Sequence, residues 1–314
     1  MINFADRLLL EIKHKSNPTI MGLDPQLSYV PEFIRRQVEH EIEDPLEVAA
    51  ESIFRFNCGL IDAVADIVPA VKPQMAFYEV YGAAGLRAFQ RTCAYAREHD
   101  LVVVADGKRG DIGSTASAYA QAYLGRTELN DGMSTKLYDI DALTVNAYLG
   151  FDGVEPFLNF SAGGEKGIFI LVRTSNPSAG DLQDLALNDG RHVFEAMADK
   201  VKGWGELFVG ELGYSAVGAV VGATWPRQAE TLRSRMPNTL ILVPGYGAQG
   251  ATGEDVAVNF DENGRGAIVN ASRSLMCAYL NESGCDPQDY AGACRRAAIK
   301  MREDLNQAIE SRVG

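Results

Sequence analysis

Leu101-Val-Val-Val-Ala-Asp106-Gly-Lys108-Arg-Gly-Asp111-Ile-Gly-Ser-Thr115 is the stretch on which the fold turns. An apolar, β-forming run leads straight into an acid and a base. Side chains along a strand alternate faces with a period of two. An extended chain therefore puts Val102, Val104, Asp106 and Lys108 on one face. The two charges crown the C-terminal end of an apolar strand, which in a TIM barrel is the catalytic rim. Asp111 follows three residues later, at the start of the next loop and helix, and Thr115 lies one turn further on.

Outward from this stretch the chain alternates two kinds of segment. Apolar β-rich runs stand at Thr19–Leu23, Ile67–Val71, Leu101–Ala105, Ala142–Val145, Gly167–Val172, Ala216–Val221, Leu240–Val243 and Ala267–Val269. Between them apolar residues recur three or four apart, as at Ile53, Phe56, Leu60 and Val64. Such alternation predicts βαβ units and a parallel sheet. The runs are apolar on both faces, as strands covered on both sides must be. Eight of them in 314 residues favour a closed barrel over an open sheet. The expected fold is α/β, a single (β/α)8 TIM barrel over residues 1–314, with a last helix near 286–312. Residues 24–44 form a long first connection. Residues 175–190, rich in Asn, Pro, Ser, Gly and Asp, read as a mobile lid.

Bulk properties bound the function. A composition of 46% hydrophobic and 23% charged residues is that of a soluble globular protein. Five cysteines without a Cys-x-x-Cys pair predict reduced thiols and a cytoplasmic location. The first residues lack the pattern of a signal peptide, and no run is long enough to span a bilayer. A net charge of −13 argues against nucleic acid as partner, since such binding needs a basic footprint. An anionic small substrate then needs a locally basic site.

The other strands end as the third does. Val68, Ala70 and Lys72 are in phase, as are Ile20, Gly22 and Asp24, and Ala142, Thr144 and Asn146. Barrel strands can end in polar residues merely because they reach solvent. Lys72, Asp106, Lys108 and Asp111 together at one rim argue instead for a built charge network.

At these residues the sequence resembles the orotidine 5′-phosphate decarboxylases, in their longer bacterial form. The signature Asp-x-Lys-x-x-Asp-Ile stands as Asp106-Gly-Lys108-Arg-Gly-Asp111-Ile112. Further matches run in family order along nearly the whole chain. They are Leu23-Asp24, Val71-Lys72-Pro73, Thr174-Ser175-Asn176-Pro177, Pro244-Gly-Tyr-Gly-Ala-Gln249-Gly and Ala271-Ser-Arg273-Ser274. The resemblance implies that Lys108 protonates C6 of the pyrimidine as carbon dioxide leaves. It places Asp106 beside the substrate carboxylate, with Lys72 and Asp111 completing the network. Asp111 would reach into a neighbouring subunit's site with Thr115 following it, which implies a homodimer with shared sites. Asp24 and Lys72 would contact the ribose, Ser175 the pyrimidine, and Gln249 and Arg273 the phosphate. No cofactor, metal or membrane is implied.

The chemistry accords with these residue types. Loss of carbon dioxide leaves an electron pair in the ring plane, out of conjugation, so a fixed positive charge must lie close to that carbon. Flanking carboxylates keep a lysine protonated. At about 4 Å and an effective dielectric near 20, two unit charges interact by roughly 4 kcal/mol. An acid pressed on the substrate carboxylate is thus repulsive until the carboxylate departs.

Rival readings are weaker. Gly245-Tyr-Gly247-Ala-Gln-Gly250 matches a dinucleotide fingerprint, but six strand–helix units precede it and the fingerprint belongs in the first turn. His14, His40, His99 and His192 are scattered without ligand spacing and read as surface or helix-end residues. Arg109 is given no role, and Trp204 and Trp225 are expected in or beside helices. A Mg²⁺-dependent keto-sugar-phosphate decarboxylase or aldolase of the same barrel group would use the two acids for metal. Pro73, the Thr-Ser-Asn-Pro segment and Gln249 favour the pyrimidine substrate. A silent nucleotide-binding barrel could dispense with the charges that this chain retains.

Overall fold

The computed structural model describes residues 2–247 and 250–314. Among them, eight parallel strands close a barrel in which every strand pairs with its neighbours in sequence. They are β1 (Thr19–Leu23), β2 (Ala70–Pro73), β3 (Val102–Arg109), β4 (Ala142–Val145), β5 (Gly167–Arg173), β6 (Ser215–Val221), β7 (Thr239–Pro244) and β8 (Ala267–Ala271). β1 pairs with β8 to close the ring. The predicted β2 is displaced towards its C-terminus: Ile67 and Val68 are buried in the approach to the strand, and pairing begins at Ala70.

Burial follows the two faces of each strand. Ile20, Ala70, Val102, Val104, Ala142, Phe169, Leu240 and Ile268 point inward and form one core. Met21, Val71, Val103, Leu143, Ile170, Val217, Ile241 and Val269 belong to a second, between strands and helices. The period-two phase read from β1 to β4 is the inward one. An N-terminal helix, Phe4–Lys15, was not expected. It closes the bottom of the barrel with Phe4, Leu8 and Leu9, and the Phe4 ring meets Phe169 edge-on at 6.0 Å. The Asp6 carboxylate accepts the backbone N–H groups of Glu211 and Leu212 at 2.8 and 2.9 Å.

Helices begin where local chemistry favours them. Asp44 caps Pro45–Val64 by accepting from Leu46 and Glu47, with Pro45 in the first turn, where its missing N–H is harmless. The long first connection is structured, containing the helix Glu32–Glu41. The final helix is Tyr290–Val313. Residues 127–128 and 134–135 form a small antiparallel pair outside the barrel, also unforeseen.

The expected lid segment is folded at its start. Arg173, fully buried, donates to Gln228 at 2.6 Å and to Gln183 and Asp184 at 3.2 Å, with Trp225 4.4 Å beneath its guanidinium. Short helical turns at Pro177–Ala179 and Gly180–Gln183 follow.

Candidate active site

Asp106 sits on the inner face of β3 at the barrel rim, and four donors surround its carboxylate. Lys72 Nζ and Gln74 Nε2 reach Oδ2 at 2.7 and 2.9 Å. Lys108 Nζ and Thr144 Oγ1 reach Oδ1 at 2.6 and 2.9 Å. β2 supplies Lys72, its continuation supplies Gln74, and β4 supplies Thr144. Register explains the meeting, because Gln74 pairs with Asp106 just beyond the end of β2.

Lys108 reaches this carboxylate by a route that the alternation argument did not foresee. The β3–β4 register shifts between Ala105 and Arg109, and Lys108 has a positive φ of 46°. The simple face sharing of Asp106 and Lys108 is therefore broken by a bulge, which re-aims a side chain as bulges at barrel rims do. The backbone N–H of Lys108 donates to Thr144 Oγ1 at 2.9 Å instead of to the strand ladder.

Charge and burial oppose each other here. Burial alone raises a carboxyl pKa and lowers an ammonium pKa. For Asp106, burial is outweighed by Lys72 and Lys108, and its pKa falls below the carboxylate range. For Lys72, burial is outweighed by Asp106 and Asp24, and its pKa rises. The pair is charged at neutral pH.

Asp24, Lys72, Asp106 and Arg273 line one cavity of about 370 Å³ at the C-terminal ends of the strands. Tyr29, Tyr246, Asn270 and Ser272 complete much of its wall. Two cavities of about 650 and 750 Å³ lie at the opposite barrel end, away from this constellation. Volume is the poorer guide, since the smaller cavity holds the buried charges. Gly22 allows β1 and the β8 loop to approach: a Cβ there would lie 1.8 Å from Ser272 Oγ. Among the described residues nothing bonds the buried Oδ1 atoms of Asp24 and Asn270, which suits a wall that meets hydroxyl groups.

The sequence profile described as the orotidine 5′-phosphate decarboxylase / HUMPS family matches residues 44–282. An orotidine 5′-phosphate decarboxylase of Caldicellulosiruptor saccharolyticus is 42% identical over 310 residues, 98% of this chain and 100% of the relative. One from Rhodopirellula baltica is 42% identical over 97% of this chain and 99% of its own length. The chain belongs to the orotidine 5′-phosphate decarboxylase family.

The structure of the Leishmania donovani OMP decarboxylase superposes with a TM-score of 0.71 at 28% identity, covering 96% of this chain and 99% of that one. The Leishmania donovani UMP synthase gives 0.76 at 29% identity, over 98% of this chain and 57% of that longer one. The profile's description joins two groups, and the full-length relatives carry the decarboxylase name, so the keto-sugar-phosphate reading is not supported. As a carboxy-lyase of this family, the protein converts orotidine 5′-monophosphate to uridine 5′-monophosphate and carbon dioxide in UMP biosynthesis.

Against the decarboxylase expectations, the structure unites Lys72, Asp106 and Lys108, and it puts Asp24 and Arg273 in the same cavity. It does not bring Asp111 to them within one chain: Asp111 Oδ1 accepts its neighbour Ile112 N at 2.8 Å. Thr115 is exposed on the helix Gly113–Leu124. Ser175 stands at the end of β5 outside the cavity lining, its carbonyl accepting from Thr224 Oγ1 at 3.2 Å. Gln249 lies outside the described residues. Arg109, given no role, turns to Glu79 and donates to Tyr123 Oη at 3.0 Å.

Gln74 and Thr144 were missed as parts of the site. Gln74 continues the alternation of Ala70 and Lys72, so one more period-two step would have found it. Thr144 was in phase but uncharged, and nothing in sequence separates such a threonine from ordinary strand filler.

Proposed function

We propose that the chain performs direct, cofactor-free decarboxylation with Lys108 as proton donor. The bond from C6 to the carboxylate breaks, its electron pair stays in the ring plane, and a proton passes from Lys108 Nζ to C6. The supporting observation is the Asp106 carboxylate held between Lys72 and Lys108 at the mouth of the cavity. A buried anion there opposes the substrate carboxylate and is relieved as it leaves, while the ammonium stabilises the carbanion.

In this reading Asp24 and Lys72 hold the ribose, Ser175 meets the pyrimidine, and Gln249 with Arg273 binds the phosphate. Phosphate binding far from C6 supplies energy that holds the repulsive complex together. Closure of 175–190 over the bound nucleotide excludes water. Asp111 and Thr115 act in the site of a second copy, making a homodimer with shared sites in the cytoplasm. Saturation of Asp106 by four donors speaks against its use as a metal ligand.

Lys108→Ala tests the assignment. Turnover, followed by loss of the orotate absorbance, should fall by several orders of magnitude while uridine 5′-monophosphate still binds. Near-normal turnover removes Lys108 from the donor role.

A further inference from the structure

We infer that Thr144 is a positioning residue for the decarboxylation, its single hydroxyl tying both the Asp106 carboxylate and the Lys108 backbone to β4. The inference rests on the proposed donor role of Lys108.

A hydroxyl offers one proton and two lone pairs. Thr144 Oγ1 lies 2.9 Å from Asp106 Oδ1 and 2.9 Å from the Lys108 nitrogen. A backbone N–H can only donate and an ionised carboxylate can only accept, so the hydroxyl must take one bond and give the other. Its orientation is thereby dictated. The residue is 1% exposed on the inner face of β4, where water cannot substitute for either bond.

Both bonds act where the fold leaves a gap. The register shift beyond Ala105 takes Lys108 out of the ladder, and its positive φ is unfavourable for a residue carrying a side chain. Thr144 receives the N–H freed by that bulge. It also fixes one oxygen of the carboxylate on which Lys108 Nζ rests at 2.6 Å. The lysine side chain is 46% exposed, so packing does little to hold it. Its place is set by the backbone at one end and by Asp106 at the other, and Thr144 is bonded to both. Gln74 fixes the remaining oxygen from β2's extension, so the carboxylate cannot turn without losing several bonds at once.

Valine has nearly the same shape without the hydroxyl, and serine keeps the hydroxyl without the methyl. The experiment uses the full chain and compares wild type, Thr144→Val, Thr144→Ser and Lys108→Ala. It measures kcat and KM for orotidine 5′-monophosphate, Kd for uridine 5′-monophosphate, and folding by circular dichroism and thermal melting. Thr144→Val should lower kcat by about 10- to 100-fold, the effect of losing hydrogen bonds to a charged centre. Product affinity should hold, because the cavity walls that meet ribose and phosphate are untouched. Thr144→Ser should recover most of the rate.

A folded Thr144→Val enzyme with wild-type kcat overturns the inference. So does a serine variant as slow as the valine one, or a parallel loss of kcat and product affinity, which marks general disruption. If Thr144→Val does not fold, Thr144→Cys, whose thiol is a weak donor, is read by the same criteria. Normal turnover of Lys108→Ala would instead remove the donor assignment itself, an outcome distinct from a silent Thr144 beside an essential Lys108.

Discussion

Asp106 is 7% exposed and Lys72 is 4% exposed, so each depends on the other for its charge. Removing one partner of a buried pair leaves an uncompensated ion, which costs about 3–5 kcal/mol. Asp106→Asn should destabilise the protein by that order in urea denaturation at neutral pH, besides suppressing turnover. The pH dependence has a definite sign. The Asp106 pKa in the folded protein lies below its ordinary 3.8, so its contribution is complete above that value and declines as pH falls below it. Lys72 is raised above 10.5, so its contribution is complete below that value and declines as pH rises through the folded pKa. The Asp106 carboxyl of the wild-type protein, followed by NMR, should therefore stay ionised from pH 8 down to about pH 5. Protonation already under way between those limits would show that the carboxyl is not held down.

At the scale of elements, the two ends of the barrel divide the work. The charged rim sits at the C-terminal ends of the strands, and the helix Phe4–Lys15 stoppers the other end. Phe4, at 1% exposure, fills the space left by Gly167, where a Cβ would come within 2.2 Å of its ring. Phe4→Ala should cost about 3–5 kcal/mol, as large core truncations do. Turnover per folded molecule should not change, because the rim is at the far end. Chemical denaturation with activity measured on the same samples checks both halves, and a loss of specific activity without loss of stability would contradict the division. Strand ends were legible because period two carries an apolar face to its polar terminus. The bulge in β3 was not, because a register shift depends on what β4 offers across the gap.

At the scale of the whole molecule, the proposed shared sites turn on Asp111. Its carboxylate accepts from the backbone of Ile112, which is itself exposed, and exposed Tyr148, Leu149 and Phe151 lie on the loop after β4. If a second copy covers this face, Asp111 of each chain completes the site of the other. Mixing Lys108→Ala with Asp111→Ala subunits should then restore activity, because one composite site in each heterodimer is intact. Verified subunit exchange without recovered activity would exclude shared sites. The local pairing of Lys72 and Lys108 with one acid also shows how a chain of net charge −13 keeps cations at its rim.

Periodicity and motif order, both local properties of a chain, determined the eight-strand alternation, the rim position of Lys72 and Asp106, and the family to which the chain is similar. Side-chain alternation is a consequence of backbone geometry and needs no partner strand. Tertiary structure alone decided that Lys108 turns back to Asp106 through a bulge, that Gln74 and Thr144 join Lys72 and Lys108 on that acid, and that the Ser175 carbonyl meets the Thr224 hydroxyl. Those outcomes depend on which strand lies opposite and in what register, and hydrogen-bond geometry across strands is settled only when the barrel closes.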